Sequence, residues 1–264
     1  MPASLRTRTT ALALGVVVSV AAALLALAAP AQAGPLRVLT EELPPFNMTD
    51  GGEVTGMSTE VVRAVLAEAG LSARIEVMPW ARAYDLALHQ DNVLIYSIAR
   101  TPERETRFNW VGIIAPTRWS LYSRASRGLQ VDSLEAARAY QIGTVNEDAG
   151  EQYLKQKGFS LGHGLQSSIR YELGYQKLMQ GHVDLWIAND LNADYIARRL
   201  GDDPEKTLRV SVPLTDISQG EGLEMAFSLG TPAETVERAR AALATVRANG
   251  IYDAIARKWN AHAQ

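Results

Sequence analysis

An α/β chain built as two units joined by a two-strand hinge is the architecture this sequence predicts. Three observations predict it. Residues 36–96 alternate short apolar runs with amphipathic stretches in the order β-α-β-α-β, the pattern of a parallel sheet with crossover helices. Residues 119–200 then form a second small α/β unit, and an apolar strand at Gly222–Leu229 is followed by two helices. That late strand is expected to pair with Trp119–Arg124 as a two-strand hinge between the units.

The elements follow in order. Leu36–Thr40 reads as a strand, ended by Glu41-Glu42-Leu43-Pro44-Pro45-Phe46-Asn47, where the proline pair forbids regular structure and stiffens the loop. Asp50-Gly51-Gly52 is a turn. Gly56-Met57-Ser58 opens a helix carrying Val61, Val62, Val65, Leu66 and Ala69 on one face, with Gly70 at its C′ position. Ala73–Val77 alternates as a strand, Pro79-Trp80 starts a helix with Tyr84, Leu86, Ala87 and Leu88, and Val93–Tyr96 is a buried strand. It runs into Ser97-Ile98-Ala99-Arg100-Thr101-Pro102-Glu103-Arg104. Thr101 is expected to cap a helical turn with Pro102 at its first position. Free N–H groups beside a guanidinium would attract a carboxylate there. Arg100 reads as solvated, because strand neighbours alternate faces.

In the second unit Trp119–Arg124 is a strand, Glu135–Ala139 a helix, Tyr140–Val145 a strand and Asn146–Lys157 a helix. Gly158 and the run Gly162-His163-Gly164 read as loop, Ile169–Gln180 as a helix, Val183–Ala188 as a strand and Leu191–Leu200 as a helix. Thr231-Pro232-Ala233-Glu234 has the form of a capping box ahead of a helix to Ala248. Asn249-Gly250-Ile251-Tyr252 starts the last helix.

Met1–Ala33 stands apart. Arg6 and Arg8 precede an apolar stretch at 11–29, and Ala31-Gln32-Ala33 is an A-x-A site, so a signal peptide cleaved before Gly34 is expected. The alternative is a retained N-terminal anchor. Removing Arg6 and Arg8 from the 26 basic residues leaves 24 against 29 acidic ones, a formal charge of −5 that gives no footprint for nucleic acid. Cysteine is absent, which excludes disulfides, thiol nucleophiles and thiolate metal sites. His89, His163, His182 and His262 show no metal-ligand spacing, and neither a phosphate loop nor a Gly-x-Ser-x-Gly elbow is present.

The run Ser-x-x-x-Thr-Pro-Glu-Arg at 97–104, followed by Phe108-Asn109-Trp110, resembles the family 3 solute-binding proteins of bacterial ABC transporters. So does Asn249-Gly250-Ile251-Tyr252-Asp253-Ala254-Ile255-Ala256-Arg257-Lys258-Trp259, and the resemblance covers residues 36–260. It implies a type II periplasmic binding protein fold with a hinge and a central cleft. Lobe 1 would hold 35–122 with 227–264, and lobe 2 would hold 123–226. It further implies a periplasmic monomer that captures a small polar solute, an amino acid or related carboxylate or amine, for an inner-membrane ABC permease, without cofactor or reaction. The same fold hosts periplasmic dehydratases of prephenate-like acids, in which Glu147 or Asp148 would be the general acid or base. A stand-alone solute sensor is a third reading.

The resemblance also names ligand-binding residues. Phe46 is the aromatic of the first loop, since the usual aromatic position falls on Leu43, although Phe46 suits a core equally. Trp80 would lie against the solute, Ser97 would offer a hydroxyl, Ala99 a backbone N–H, and Arg104 would hold a carboxylate. Relatives carry Gly-Thr-Thr where this chain has Glu147-Asp148-Ala149. Asp148 there tilts the pocket toward cationic groups, or the two acids simply suit a helix N-terminus. Asn189 occupies the position of an Asp that binds an α-amino group, and Asp190 is expected to cap the helix from Leu191.

Overall fold

The computed structural model describes residues 35–218 and 222–262, with side chains to Trp259. The expected signal peptide at 1–33 and its cleavage site lie outside the described residues. Among the described residues no helix is long and apolar enough to cross a membrane.

The strands form two main sheets. In the first, β1 (Arg37–Thr40), β4 (Ile75–Val77) and β5 (Val93–Ala99) run parallel. β6 (Phe108–Pro116) and β13 (Gly222–Ser228) complete the order β4-β1-β5-β13-β6, with β13 antiparallel to both neighbours. β2 (Met48–Asp50) and β3 (Glu53–Thr55) form a hairpin about Gly51-Gly52. Helices α1 (Met57–Glu68) and α2 (Trp80–His89) are the crossovers. The apolar stripe of α1 is the one its spacing predicts: Val61, Val62 and Val65 pack with Leu94, Tyr96, Ile114 and Phe227 of the sheet. Val236, Leu243 and Val246 of α8 (Ala233–Ala248) close that core, and α9 (Ile251–His262) follows.

The second sheet has β7 (Trp119–Arg124), β8 (Ile142–Val145), β9 (Ser160–Leu161), β10 (Gly164–Ser168), β11 (Leu185–Asn189) and β12 (Leu208–Leu214) in the order β12-β7-β11-β8-β10-β9. Helices α3 (Leu134–Ala137), α4 (Ala149–Gln156), α5 (Tyr171–Gln180), α6 (Asp190–Arg199) and α7 (Pro204–Thr207) accompany it. Trp186 is fully buried here, edge-on to Tyr175 with ring centroids 5.8 Å apart.

Several expectations are corrected. Trp119–Arg124 does not pair with Gly222–Leu229. β7 lies between β11 and β12, and β13 lies between β5 and β6. Every residue of β13 is buried, as suits a central strand and not an exposed ribbon. The chain changes sheets instead in the connections after β6 and after β12. Residues 101–107 form no helix. Overlapping turns, Arg104 N to Thr101 O at 3.0 Å and Arg107 N to Arg104 O at 3.0 Å, take their place. Thr101 Oγ1 is buried without a partner and caps nothing. The box at 231–234 does not close either: Thr231 Oγ1 turns to Ser228 Oγ at 3.1 Å, and α8 starts without a side-chain cap. Helix α4 begins at Ala149, because Glu147 adopts φ +58° and breaks a helical path from Asn146. β10 and β12 were not legible: the first hides in a polar Gly-Leu-Gln-Ser-Ser sequence, the second in a run interrupted by Pro213.

Candidate functional site

The carboxyl ends of the parallel strands in both sheets converge on one small cavity, the place where open α/β sheets put their ligands. From the first sheet β1 delivers Glu41 and Leu43, β4 leads to Trp80, β5 carries Ser97 and Ala99, and the turns beyond it bring Arg104. β13 adds Leu223. From the second sheet come Trp119 at the start of β7, Asp148 and Ala149 beyond β8, and Tyr171 beyond β10. The cavity measures about 10 Å³, room for one water molecule.

Two backbone features aim this lining. Ser97 has φ +59° and is skipped in the β5–β13 register, where Tyr96 faces Met225 and Ile98 faces Glu224. Such a bulge re-aims a side chain next to a site. Its hydroxyl is buried without a partner, as is the indole N–H of Trp119. Buried polar atoms ordinarily find a partner, so these two groups stand ready for a ligand. Across the cleft Glu147 has φ +58°, which turns its carbonyl toward the first sheet. Trp80 Nε1 donates to that carbonyl at 2.8 Å and Arg104 Nη2 at 3.2 Å.

Arg104 is fully buried. Its Nη1 donates to Ala99 O at 3.2 Å and its Nε to Gln152 Oε1 at 3.1 Å. Its guanidinium stands 5.3 Å from the Trp80 ring centroid and 4.8 Å from that of Tyr84. Three of its N–H groups are thus engaged, and the Tyr84 hydroxyl also lies in hydrogen-bonding reach. Burial pulls its pKa down from the ordinary value.

Two carboxyls oppose that one guanidinium. Asp148 caps α4: Oδ1 accepts from Glu151 N at 2.6 Å, and Oδ2 accepts from the Tyr171 hydroxyl at 2.7 Å. Burial nonetheless pushes its pKa up to about 7. Glu41 is 4% exposed, and burial, reinforced by the Asp148 charge, holds its pKa well above the carboxylate range. Behind them Glu151, also buried, accepts from Thr144 Oγ1 at 2.7 Å and Lys155 Nζ at 2.8 Å, a satisfied pair that fixes the 145–148 loop. Among the described residues no group of three or more potential metal ligands gathers.

Residues 36–262 match the family model of the bacterial extracellular solute-binding proteins, family 3. The chain belongs to this family. No curated protein matches its sequence. Solved structures share the fold at low identity. An ancestral arginine-binding protein bound to arginine has a TM-score of 0.73 at 21% identity, over 86% of this chain and 98% of that one. A histidine kinase sensor domain with similarity to periplasmic binding proteins has a TM-score of 0.73 at 19% identity, over 86% and 96%. A periplasmic His/Glu/Gln/Arg/opine family-binding protein from Silicibacter pomeroyi, in complex with lysine, has a TM-score of 0.66 at 20% identity, over 85% and 96%. The two sheets are accordingly the two lobes of a type II periplasmic binding protein fold.

In this family-3 solute-binding protein, Trp80, Ser97, Ala99, Arg104 and Asp148 all line the cavity. Phe46 and Asn189 do not. Phe46 is fully buried in the core, where its carbonyl ties the loop to α1 by accepting from Ser58 N at 2.8 Å; Leu43 takes the place at the cavity. Asn189, and not Asp190, caps α6, accepting from Asn192 N at 3.2 Å. Asp190 pairs with Arg118 at 3.0 Å. Arg100 stays outside the cavity lining, part-exposed, and donates to Glu105 at 2.7 Å through Nε. Glu41, Trp119, Tyr171 and Leu223 escaped sequence reasoning. Only Glu41, the first residue past a strand end, carried a signal.

Proposed function

We infer that this protein is a monomeric periplasmic receptor that captures a small solute by lobe closure and presents it to an ABC permease. The solute is an amino acid or a related molecule carrying both a carboxylate and an amine. The observation that carries the reading is the composition of one cavity: a buried guanidinium, two buried carboxyls, two partnerless polar groups and an indole, drawn from both lobes. A carboxylate suits Arg104, and an ammonium group suits Glu41 and Asp148. The contributions of both lobes make the closed form the one a solute favours. The joints of that motion are the connections between β6 and β7 and between β12 and β13. Binding proceeds without chemical change, and incubation with cyclohexadienyl acids should yield no aromatic product. The fold shared with a histidine kinase sensor domain supports a second reading, solute sensing through a receptor.

A thermal-shift screen of amino acids, amines and small organic acids tests solute capture, because a ligand selective for the folded form raises stability by mass action. Zwitterionic amino compounds should raise the Tm most. A library in which none does so overturns the assignment.

A further inference from the structure

Glu41 and Asp148 leave opposite lobes, from the ends of β1 and β8, and meet at one cavity. They are 4% and 2% exposed. Asp148 has a structural reason to be there, since it caps α4 and accepts from Tyr171. Glu41 caps no helix, and the charges it meets are those of Asp148, Arg104 and Glu42.

Every charged group around the pair is accounted for. On the first lobe Glu42 adds a like charge and is itself held by Thr49, whose Oγ1 donates to it at 2.5 Å. Arg104 is the cation facing both acids, with N–H groups already given to Ala99, Glu147 and Gln152. The ring of Tyr84, from α2, lies against that guanidinium. On the second lobe Glu151 and Glu147 share Lys155. Tyr171, from α5, stays neutral because burial and Asp148 push its own ionisation up. Closed, the site sets two carboxyls against one guanidinium and leaves a negative charge uncompensated away from water. Open, the cleft hydrates each acid separately.

We propose that closure of the lobes takes up one proton from solvent, shared between Glu41 and Asp148, and that opening returns it. The empty protein is then shut in acid and opens as the pH rises. This goes beyond solute capture and is a property of the protein alone, so its test needs no solute.

The chain has no cysteine, which allows spin labels at Glu68→Cys on α1 and Glu205→Cys on α7, both exposed positions. Interlobe distances are measured by pulsed electron paramagnetic resonance at pH 5 and pH 8, without ligand. One linked proton changes the closed-to-open ratio by up to about tenfold per pH unit. The short-distance population should therefore dominate at pH 5 and fall at pH 8. Glu41→Gln should make the ratio independent of pH. Asp148→Asn, which keeps an oxygen for the α4 cap, should do the same and stands in if the first variant fails to fold. Identical distance distributions at both pH values in the parent protein overturn the proposal. So does an undiminished pH dependence in the folded variants.

Discussion

Arg104 faces carbonyls as well as carboxyls. Its contacts to Glu147 O and Gln152 Oε1 tie one lobe to the other when the cavity holds no more than a water. A solute carboxylate adds to these through the N–H groups that remain, and such a bond is charge-assisted and shielded from solvent. Truncating one partner of a buried charge pair costs roughly 2–5 kcal/mol, so Arg104→Ala should weaken a carboxylate ligand by ~30-fold to several thousandfold. Arg104→Lys should restore only part of it, since a point charge cannot reproduce the fork or its stacking on Trp80 and Tyr84. Arg107 is exposed, and Arg107→Ala should leave affinity within about twofold. Calorimetry on folded variants, with a ligand from the thermal-shift screen, decides; wild-type affinity in Arg104→Ala would remove the guanidinium from recognition.

Among the elements, the loop 41–47 depends on the start of α1. Gly56, at the N-cap of that helix, has φ +118°, and a Cβ there would come within 2.6 Å of Phe46 C and overlap its carbonyl oxygen. That carbonyl accepts from Ser58 N and Thr59 N, so the close approach is what anchors the loop carrying Glu41 and Leu43. Gly56→Ala combines backbone strain with displacement of this anchor. It should cost about 1–3 kcal/mol, read as a lower urea midpoint at unchanged m-value, and it should weaken ligand binding too. An unchanged midpoint would show the loop free to adapt. Gly56 was legible from the sequence as a helix start. Its contact with Phe46, ten residues earlier, depends on how the loop folds back and has no periodic signature.

For the whole molecule the buried acids set the pH dependence. Asp148 titrates at about 7 when folded against an ordinary 3.8. The closed native state therefore holds a proton that the unfolded chain has lost between those values, and the stability of that closed form falls as the pH rises through that window. Glu41 acts in the same direction. Calorimetric Tm should be lower at pH 8 than at pH 5, and Asp148→Asn should flatten the difference. A Tm that rises over this range would contradict protonation of the site. Small-angle scattering addresses the motion: a saturating solute at pH 8 should reduce the radius of gyration, and an unchanged value would argue against hinge closure.

The resemblance to the family pointed to Trp80, Ser97, Ala99 and Arg104, and the sequence by itself determined the α/β class and the first core. These follow from local causes: apolar periodicity in α1 and β5, a strand end before Trp80, and the order of short elements. Only the tertiary structure decided that Glu41 meets Asp148, that Leu43 and not Phe46 reaches the cavity, and that Trp119 and Tyr171 join them. Each of those placements depends on how two sheets, crossed by the chain after β6 and after β12, are set face to face. The turns at 101–107 and the left-handed Ser97 and Glu147 were likewise hidden, because neither residue type asks for that conformation. Contacts between the lobes hold Glu147 there, through hydrogen bonds whose partners lie 43 and 67 residues apart, and the bulge against β13 holds Ser97.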